Sequence, residues 1–499
     1  MIRTEPMRGS YWRPGKVIML LLCCIFSGYA QDPEYEAWLK KEQQKLQEYK
    51  DARDKDFINF LKREWKQRQA FEGLVPDERP KPKSLPTVEP SETPRAPVPS
   101  APARVKSEAP SEPVPALEPK EVAVPPPSPT PNVLEFGFNF FDLPLVVRHE
   151  KTAWPKLEKE VSKETISTFW ADLSRTTYET VLAQAGQERA RLRLNDWGYT
   201  LLLHQIGLSL FKGSLNESTL FTWFMLVKSG FDVRIGYGGE RVRLLVPTVT
   251  RLYQVMYFQV GSDDRRLYAV PLQGDEKSIE GMFYVYEGSY PGADRQADFS
   301  VKSLPALRDE SAPRQLRFIY GKQDYRLDVA VDKGAVEFFR NYPQTEYTVY
   351  FESPASSRAA RSLVAQLKPI LQGKTEWEAV NILLRFVQTA FEYKTDHDQF
   401  GREKPLFVDE VLFYPASDCE DRSVLFAYLV RTLLGMDVVA LDYPAHIATA
   451  VRFTSEVAGD QVTYEGKKFV ICDPTYIGAD AGMCMEQFKG VNPKVIRIE

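Results

Sequence analysis

Three side chains near the C-terminus have the types and the order of a nucleophilic triad. Cys419 lies in the polar run Ser-Asp-Cys-Glu-Asp-Arg-Ser at residues 417–423, and His446 and Asp473 follow it. A thiol can attack a carbonyl carbon, an imidazole can take up and return the proton, and a carboxylate can hold the imidazole in one tautomer. The three residues therefore predict nucleophilic chemistry on a carbonyl group, provided that the fold brings them together.

The sequence around Cys419 predicts a helix that would position the thiol. Ser417 and Glu420 have capping-box spacing, so we expect Ser417 to be the N-cap. The helix should continue through the apolar residues 424–434 and end at Gly435. Cys419 would then lie in the first helical turn, where unpaired backbone N–H groups favour a thiolate.

Three strands are predicted after this helix, over residues 437–441, 447–453 and 468–472. His446 opens the second strand, and Asp473-Pro474 ends the third. A histidine on one strand and an aspartate on the next can meet at one edge of a sheet, so these strands are expected to place the base beside its orienting carboxylate.

The order of these elements resembles the transglutaminase-like superfamily of cysteine enzymes, in which a cysteine begins a buried helix, a histidine enters a strand and an Asp-Pro ends the next strand. Here those residues are Cys419, His446 and Asp473-Pro474-Thr475, and the resemblance covers roughly residues 375–475. It implies an α+β fold with a papain-like core in an exported bacterial protein. It also implies that Cys419 is the nucleophile, His446 the base and Asp473 the orienter.

The resemblance implies a protein or peptide amide as substrate and a thioester as intermediate. The superfamily both hydrolyses amides and transfers the acyl group to amines. We expect hydrolysis, as a peptidase or amidase, because water is always available as the acceptor. Transfer to a lysine amine, a transglutaminase activity, stays open.

The acidic neighbours Asp418, Glu420 and Asp421 oppose a thiolate, so His446 as imidazolium would have to supply most of the activation. The alternative to an enzyme is a non-catalytic transglutaminase-like scaffold or binding protein of the cell envelope. Thiol labelling distinguishes the two, since a low-pKa Cys419 should react with iodoacetamide well below about pH 8.

The N-terminus has the pattern of a secretory signal peptide at residues 1–30, with basic residues before a short apolar run and small residues at the cleavage positions. Residues 31–75 predict an amphipathic helical segment, which could reach an envelope partner. Residues 76–132 hold half of the 36 prolines and predict a disordered linker. We expect an exported protein of the periplasm or cell surface, or a secreted one, with no integral membrane span.

The composition argues against several other classes of function. A formal net charge of −4 and the lack of a basic aromatic patch give no indication of nucleic-acid binding. His149, His204 and His397 have no Cys or His at metal-ligand spacing, so no metal site is predicted, and no nucleotide or other cofactor motif is present. Cys472 and Cys484 could form a disulfide that leaves Cys419 free, but the sequence does not decide this.

The middle of the chain predicts a degenerate copy of the C-terminal domain. Two helices over residues 195–210 and 216–230, followed by strands over 232–236 and 241–246, repeat the order found around Cys419. Counting from the glycine that ends each second helix places Ser214 and Arg241 where Cys419 and His446 stand. Chance similarity between two helix–strand units is the alternative.

These patterns divide the chain into three folded domains. They are an α+β domain at residues 133–304, a β module with extra β structure at 305–360, and the transglutaminase-like catalytic domain at 361–499. Further strands are expected at 252–260, 266–270, 281–286, 325–331 and 347–351.

The catalytic domain differs from its expected copy in the connection between the two helices, which is about five residues in the copy and covers residues 393–416 here. A connection of that length is usually functional. It contains Tyr393, Gln399 and Phe400, which could line a cleft. A tetrahedral intermediate needs an oxyanion donor besides the backbone N–H of the nucleophile, and Gln399 or the Tyr393 hydroxyl could supply it.

Overall fold

The computed structural model describes residues 133–158, 160–259, 265–272, 284–286, 292–308 and 310–499. The predicted signal peptide, N-terminal helical segment and proline-rich linker lie outside these residues. Helices and antiparallel sheets make up the described part of the chain, which confirms the α+β class. None of the described helices combines the length and the apolar character that crossing a membrane requires.

The N-terminal half, residues 133–304, begins with a hairpin of two strands, continues with helices and ends in a sheet. Its described elements are β1 (Val133–Phe140), β2 (Leu143–Glu150), α1 (Lys163–Leu173), α2 (Tyr178–Arg191), α3 (Asp196–Leu210), α4 (Leu215–Lys228), β3 (Arg234–Gly238), β4 (Arg241–Pro247), β5 (Tyr257–Gln259), β6 (Arg266–Ala269) and β7 (Tyr284–Tyr286).

The C-terminal half, residues 311–499, follows the same plan with additional short elements. These elements are β8 (Ser311–Tyr320), β9 (Gln323–Asp332), α5 (Lys333–Arg340), α6 (Tyr347–Glu352), α7 (Ser357–Leu371), α8 (Glu376–Thr389), β10 (Glu392–Tyr393), α9 (Asp396–Phe400), α10 (Val408–Phe413), β11 (Ala416–Ser417), α11 (Cys419–Leu429), β12 (Val438–Tyr443), β13 (His446–Val451), β14 (Gln461–Tyr464), β15 (Lys467–Cys472) and β16 (Lys494–Arg497). A π-helical turn, Val430–Leu434, extends α11, and a 3-10 turn, Glu486–Phe488, precedes β16.

The two five-stranded sheets have the same strand order. The N-terminal sheet is ordered β5-β6-β4-β3-β7 and the C-terminal sheet β14-β15-β13-β12-β16, with antiparallel neighbours in both. Strands β3 to β7 therefore correspond one by one to β12 to β16.

The helices and hairpins correspond as well. Helix α4 packs on β4 and on α3, as α11 packs on β13 and on α8. The hairpin β1–β2 packs on α3 and α2, and the hairpin β8–β9 packs on α8 and α7 in the same arrangement. Each half is thus a helical layer between a hairpin and a five-stranded sheet.

One long insertion distinguishes the C-terminal half. Residues 211–214 connect α3 to α4, whereas residues 390–418 connect α8 to α11 and contain α9, α10 and the short parallel pair β10–β11. The expected long connection is therefore present and has secondary structure of its own.

The halves share one continuous core of buried apolar side chains. Tyr342, which follows α5, lies at their junction and contacts the ring of Trp197 with centroids 6.4 Å apart. Its hydroxyl donates to the carbonyl of Phe299 at 2.5 Å and accepts from the Asn195 amide at 2.7 Å. These two hydrogen bonds of the Tyr342 hydroxyl connect the C-terminal half to the N-terminal half within the apolar core.

The helix over residues 195–210 is confirmed, with Asn195 as its N-cap and its Oδ1 accepting from the Gly198 N–H at 3.0 Å. Thr375 caps α8 with a capping box to Glu378. The strand predicted at residues 347–351 is wrong, because this segment is helix α6 packed on α11. A short apolar run does not reveal by periodicity whether it is a buried strand or a buried helix.

The range expected to be a β module, residues 305–360, contains the hairpin β8–β9 followed by helices. That hairpin packs on α7 and α8, and so belongs with the C-terminal half in the way that β1–β2 belongs with the N-terminal half.

Candidate active site

The start of α11 lies against the start of β13. The N-cap of α11 is Asp418, whose backbone N–H donates to Asp421 Oδ2 at 3.3 Å, and Cys419 is the first helical residue. The predicted N-cap Ser417 is wrong by one residue, since it belongs to β11. Residues 417 and 420 have the same capping-box spacing as residues 418 and 421. The capping box forms between the second pair, because the tertiary fold places Ser417 in β11.

The sheet brings His446 and Asp473 together. The turn Pro444-Ala445 connects β12 to β13, and β13 pairs with β15 so that Thr449 lies opposite Cys472. His446 Nε2 lies 2.8 Å from Asp473 Oδ2, with 1% and 3% of the two side chains exposed. This hydrogen bond fixes the ring orientation and leaves Nδ1 as the nitrogen that can act as base.

Both members of this pair are held by further contacts. The imidazole is stacked on the ring of Phe488 with centroids 5.1 Å apart and planes at 4°. Asp473 Oδ1 accepts from the backbone N–H of Thr475 at 2.9 Å, which makes an Asx-type turn after β15. The base and its orienter are therefore restrained before any substrate arrives.

The Cys419 thiol is hydrogen-bonded to a carboxylate, since it donates to Glu420 Oε2 at 3.1 Å. The backbone N–H of Ile447, the residue after His446, lies close enough to the sulfur to offset part of the rise in its pKa. Within the described residues no hydrogen bond joins the sulfur to His446. Ile447, which influences the pKa of the thiol, is the strand residue next to the base.

The environment of Cys419 favours the neutral thiol. Burial raises the pKa of this thiol well above its usual range, and the charges of Glu420 and Asp418 raise it further. The helix N-terminus was expected to favour a thiolate, but desolvation and two adjacent carboxylates outweigh that effect here.

Five carboxylates surround the start of α11, and we call them the carboxylate cluster: Asp396, Glu403, Asp418, Glu420 and Asp421. Asp396 and Glu403 come from the insertion, and sequence patterns did not single them out as site residues. Burial and the like charges of Asp421 and Glu420 raise the pKa of Asp396 to about 10. Burial and Glu420 raise the pKa of Glu403 to about 7. In the sequence, the acidic residues within 418–421 were the one indication that carboxylates gather at this site.

The two candidate oxyanion donors, Tyr393 and Gln399, both belong to the insertion between α8 and α11. Burial raises the pKa of the Tyr393 phenol, and charge at Cys419 and Asp418 adds to the shift, which indicates proximity. Gln399 donates its amide to the carbonyl of Ala416 at 3.3 Å. Tyr347 of α6 was also missed, because its segment was expected to be a strand; burial, Glu420 and Cys419 raise its pKa.

Cys472 and Cys484 are buried free thiols and do not form a disulfide. Two of the remaining histidines lie in the N-terminal half. His204 lies in α3 beside Thr222, and His149 bonds the carbonyl of Glu150 in β2.

The corresponding positions of the N-terminal half carry no triad. Arg241 opens β4 and pairs with Gly238, as His446 opens β13 and pairs with Tyr443. Continuing the β4–β6 register places Pro271 where Asp473 stands.

The nucleophile position of the N-terminal half is occupied by Leu215, the first residue of α4. Ser214 is the N-cap of α4 and so matches Asp418 rather than Cys419. Asn216, the residue after Leu215, accepts at Oδ1 from the Val242 N–H at 3.1 Å. The π-helical turn after α11 lengthens the path to Gly435, which is why counting from the glycines misplaced Ser214.

No family model matches this chain, and a search of the curated proteins finds no matching protein. What the site can do therefore has to be argued from its own residues and geometry.

Proposed function

We propose that the C-terminal half is a transglutaminase-like cysteine enzyme that acts on protein or peptide amides. The observation that carries this proposal is the buried hydrogen bond of 2.8 Å between His446 Nε2 and Asp473 Oδ2, on strands that present the histidine beside the helix start of Cys419. A buried imidazole oriented by a carboxylate next to a thiol has the arrangement of a general base and its nucleophile.

The reaction would begin when the Cys419 thiol turns from Glu420 to the Nδ1 of His446 and transfers its proton. The sulfur then attacks the carbonyl carbon, and the backbone N–H of Cys419 and the phenol of Tyr393 are the donors for the oxyanion. The imidazolium protonates the leaving amine as the C–N bond breaks, which leaves a thioester. Water attacks the thioester, His446 takes its proton, and the acid and free thiol are released.

We propose further that the N-terminal half is a catalytically inert copy of the same domain. The shared strand order, the matching helix and hairpin packing, and the equivalent positions of Arg241 and His446 support duplication. Arg241 stays protonated at neutral pH and cannot act as a base. The N-terminal half would support the catalytic half or bind a partner. The predicted signal peptide at residues 1–30 supports export of the protein from the cytoplasm.

A non-catalytic scaffold is the second candidate, and one observation favours it. Cys419 is 3% exposed, and the raised pKa of its thiol opposes nucleophilic attack. In an enzyme, substrate binding must therefore open the site and bring the thiol to His446.

A substrate screen separates the two candidates. Purified protein is incubated with fluorogenic peptides and with glutaminyl peptides plus an amine donor, and hydrolysis and amine incorporation are measured. We expect Cys419→Ala to reduce turnover by at least about 10³-fold, with His446→Ala nearly as damaging and Asp473→Asn somewhat less so. Cys472→Ala replaces another buried free thiol and is the matched control, which should retain turnover. Full activity in Cys419→Ala would move the assignment to the scaffold.

A further inference from the structure

The N-terminal half contains a cleft between the end of α2, the start of α3 and the segment of residues 295–303, which follows β7. Its volume of about 680 Å³ is within the range of about 300–1,000 Å³ that is usual for ligand pockets. We call it the basic cleft, because its lining carries four basic side chains and two acidic ones: Arg189, Arg193, Arg295 and Lys302, with Asp196 and Asp298.

The two carboxylates of the basic cleft are already paired. Asp196 lies 2.5 Å from Arg189, and Asp298 lies 3.3 Å from Lys302. The second oxygen of Asp196 accepts from the backbone N–H of Asp298 at 2.8 Å. Within the described part of the chain, the other two basic side chains of the cleft form no ion pair. Two positive charges are therefore available to an anionic ligand.

Arg295, one of these two side chains, is held against an aromatic ring. Its guanidinium lies 3.8 Å from the centroid of the Phe231 ring, and the guanidinium of Arg189 lies 4.7 Å from the centroid of the Tyr199 ring. Both rings are fixed in the core, since Phe231 is 1% and Tyr199 2% exposed. Stacking holds these charged groups in place before a ligand arrives, which reduces the conformational entropy that binding costs.

Arg193, the other of these side chains, occupies a backbone position that glycine normally takes. Helix α2 ends in a Schellman motif, in which the Leu194 N–H donates to the Arg189 carbonyl at 3.0 Å and the Arg193 N–H to the Ala190 carbonyl at 3.2 Å. The φ of Arg193 is 53°, in the left-handed region where a Cβ is strained. A guanidinium at a position that costs stability indicates a role besides ending the helix.

An exposed apolar side chain lines the same cleft. Val249, which follows β4, is 67% exposed, more than any other large apolar side chain in the described part of the chain. Its backbone N–H donates to the Ala297 carbonyl at 2.9 Å, which ties it to the segment that carries Arg295. Phe231 and Tyr199 are buried beneath guanidinium groups, so neither ring offers a face on which a nucleobase could stack. The lining therefore suits carboxylates beside an apolar side chain, as in an acidic peptide.

We propose that the basic cleft binds an acidic peptide segment of a partner protein. Two carboxylates of that segment accept charge-assisted hydrogen bonds from Arg193 and Arg295, in the bidentate geometry that guanidinium groups favour. An apolar side chain of the same segment covers Val249. The cleft lies in the half that carries no triad, so this inference does not depend on the proposed enzyme activity.

The test measures peptide binding to the full chain. Octapeptides with two glutamates at every spacing among alanine, valine and serine are synthesised as an array, and the strongest binder is remade with a neutral fluorophore for anisotropy. We expect a Kd at or below about 100 µM in about 50 mM NaCl, weakened at least about threefold in about 300 mM NaCl, because salt screens exposed charges. The same peptide with glutamine at both positions should bind at least about tenfold more weakly.

Three variants change the cleft itself. Arg295→Gln should weaken peptide binding at least about tenfold, because one bidentate partner is lost. Arg193→Gly should weaken it at least as much, yet unfold at the same urea concentration as the wild type or a higher one, since glycine adopts the left-handed backbone without strain. Val249→Asp changes an exposed side chain and should also weaken binding, because it places a negative charge beside the peptide carboxylates.

Two variants outside the cleft are the controls. Arg326→Gln removes an exposed arginine of β9, and Cys419→Ala removes the candidate nucleophile; both should bind the peptide like the wild type. The control at Cys419 also separates this inference from the proposed enzyme activity. If Arg326→Gln weakened binding as much as the cleft variants, the peptide would be responding to net charge and the site would be refuted.

Three further results would overturn the proposal. One is an array in which no peptide reaches a Kd of about 100 µM. Another is wild-type binding by both Arg193→Gly and Arg295→Gln, which would place the peptide elsewhere. The third is displacement of the peptide by a single-stranded oligothymidylate at an equal or lower concentration, which would assign the cleft to nucleic acid. If Arg295→Gln does not fold, Arg193→Gly and Val249→Asp decide the outcome.

Discussion

At the scale of single residues, the candidate site combines a prepared base with a restrained nucleophile. The hydrogen bond to Asp473 and the stacking on Phe488 set the imidazole of His446 in one orientation. Cys419, by contrast, donates a hydrogen bond to the Glu420 carboxylate and lies in an acidic, dehydrated environment. The activation of the thiol is therefore the step that any mechanism for this site has to explain.

A second buried carboxyl, Asp409 in α10, gives a pH-dependent prediction about stability. Its Oδ2 accepts from the backbone N–H of Ser356, the N-cap of α7, while Oδ1 is buried without a partner. Burial raises the pKa of Asp409 to about 6, above the value of about 3.9 for an unfolded chain. The stability from the neutral form is fully present below about pH 4 and is lost as the pH rises through about 6.

We therefore expect Asp409→Asn to gain stability relative to the wild type between pH 4 and pH 7, by on the order of 2–3 kcal/mol. The measurement is the free energy of unfolding by urea at each pH, for the wild type and the variant. The change with pH is diagnostic, because any constant effect of the amide cancels. Exposed Asp328→Asn is the control and should follow the wild type. Parallel pH profiles for Asp409→Asn and the wild type would refute the raised pKa.

At the scale of elements, one glutamine of α8 holds the loop that carries Asp473. Gln388 is 1% exposed, and its Nε2 lies within 3.2 Å of the carbonyls of Asp473, Tyr476 and Ala479. Its Oε1 accepts from the Gly478 N–H at 3.1 Å. The helix next to α11 thus fixes the turn after β15.

We expect Gln388→Met, which keeps the length but removes the hydrogen bonds, to lower stability by about 1–3 kcal/mol or more, because buried carbonyls lose their donor. Turnover should fall as well, since the Asp473 turn is no longer held. Urea unfolding and the peptide assay measure the two effects. Thr389→Ala is the neighbouring control, because its hydroxyl is exposed and bonds only within α8. If Gln388→Met changed neither the free energy of unfolding nor turnover, the loop after β15 would not depend on Gln388 for its conformation.

The insertion between α8 and α11 is the element that distinguishes the two halves functionally. It supplies Tyr393 beside the nucleophile and Asp396 and Glu403 to the carboxylate cluster. The N-terminal half connects its helices through residues 211–214 and has no segment in that place. The candidate site and the carboxylate cluster therefore both depend on this one difference between the halves.

At the scale of the whole molecule, the two halves are packed into one core rather than connected as separate bodies. Tyr342 bonds two groups of the N-terminal half, the Phe299 carbonyl and the Asn195 amide, and contacts Trp197. A continuous core predicts that the halves unfold together.

We expect Tyr342→Phe to lower the free energy of unfolding by about 1–3 kcal/mol, because it leaves a buried carbonyl and amide without their partner. The wild type and the variant should each give one transition that coincides by tryptophan fluorescence and circular dichroism. Tyr320→Phe, at the end of β8, is the control, since within the described residues its hydroxyl has no hydrogen bond. Two separate transitions in the wild type would show that the halves are independent.

The sequence alone determined the order of elements around Cys419, the ends of the predicted helix over residues 195–210 and the α+β class. It could do so because caps, glycine stops and the alternation of apolar residues are local signals, which neighbouring residues set by themselves. Local signals also predicted the elements that carry Cys419, His446 and Asp473, namely a helix start, a strand start and a strand end.

Only the tertiary structure decided which of two equally spaced pairs caps α11, that residues 347–352 are a helix, and that the sulfur of Cys419 contacts Glu420 instead of His446. These outcomes depend on packing against segments far away in the sequence. The carboxylate cluster is the strongest case, because Asp396 and Glu403 are unremarkable in a polar connection. Their charge becomes consequential only when the fold buries them beside Asp418 and Glu420, where water no longer screens the repulsion.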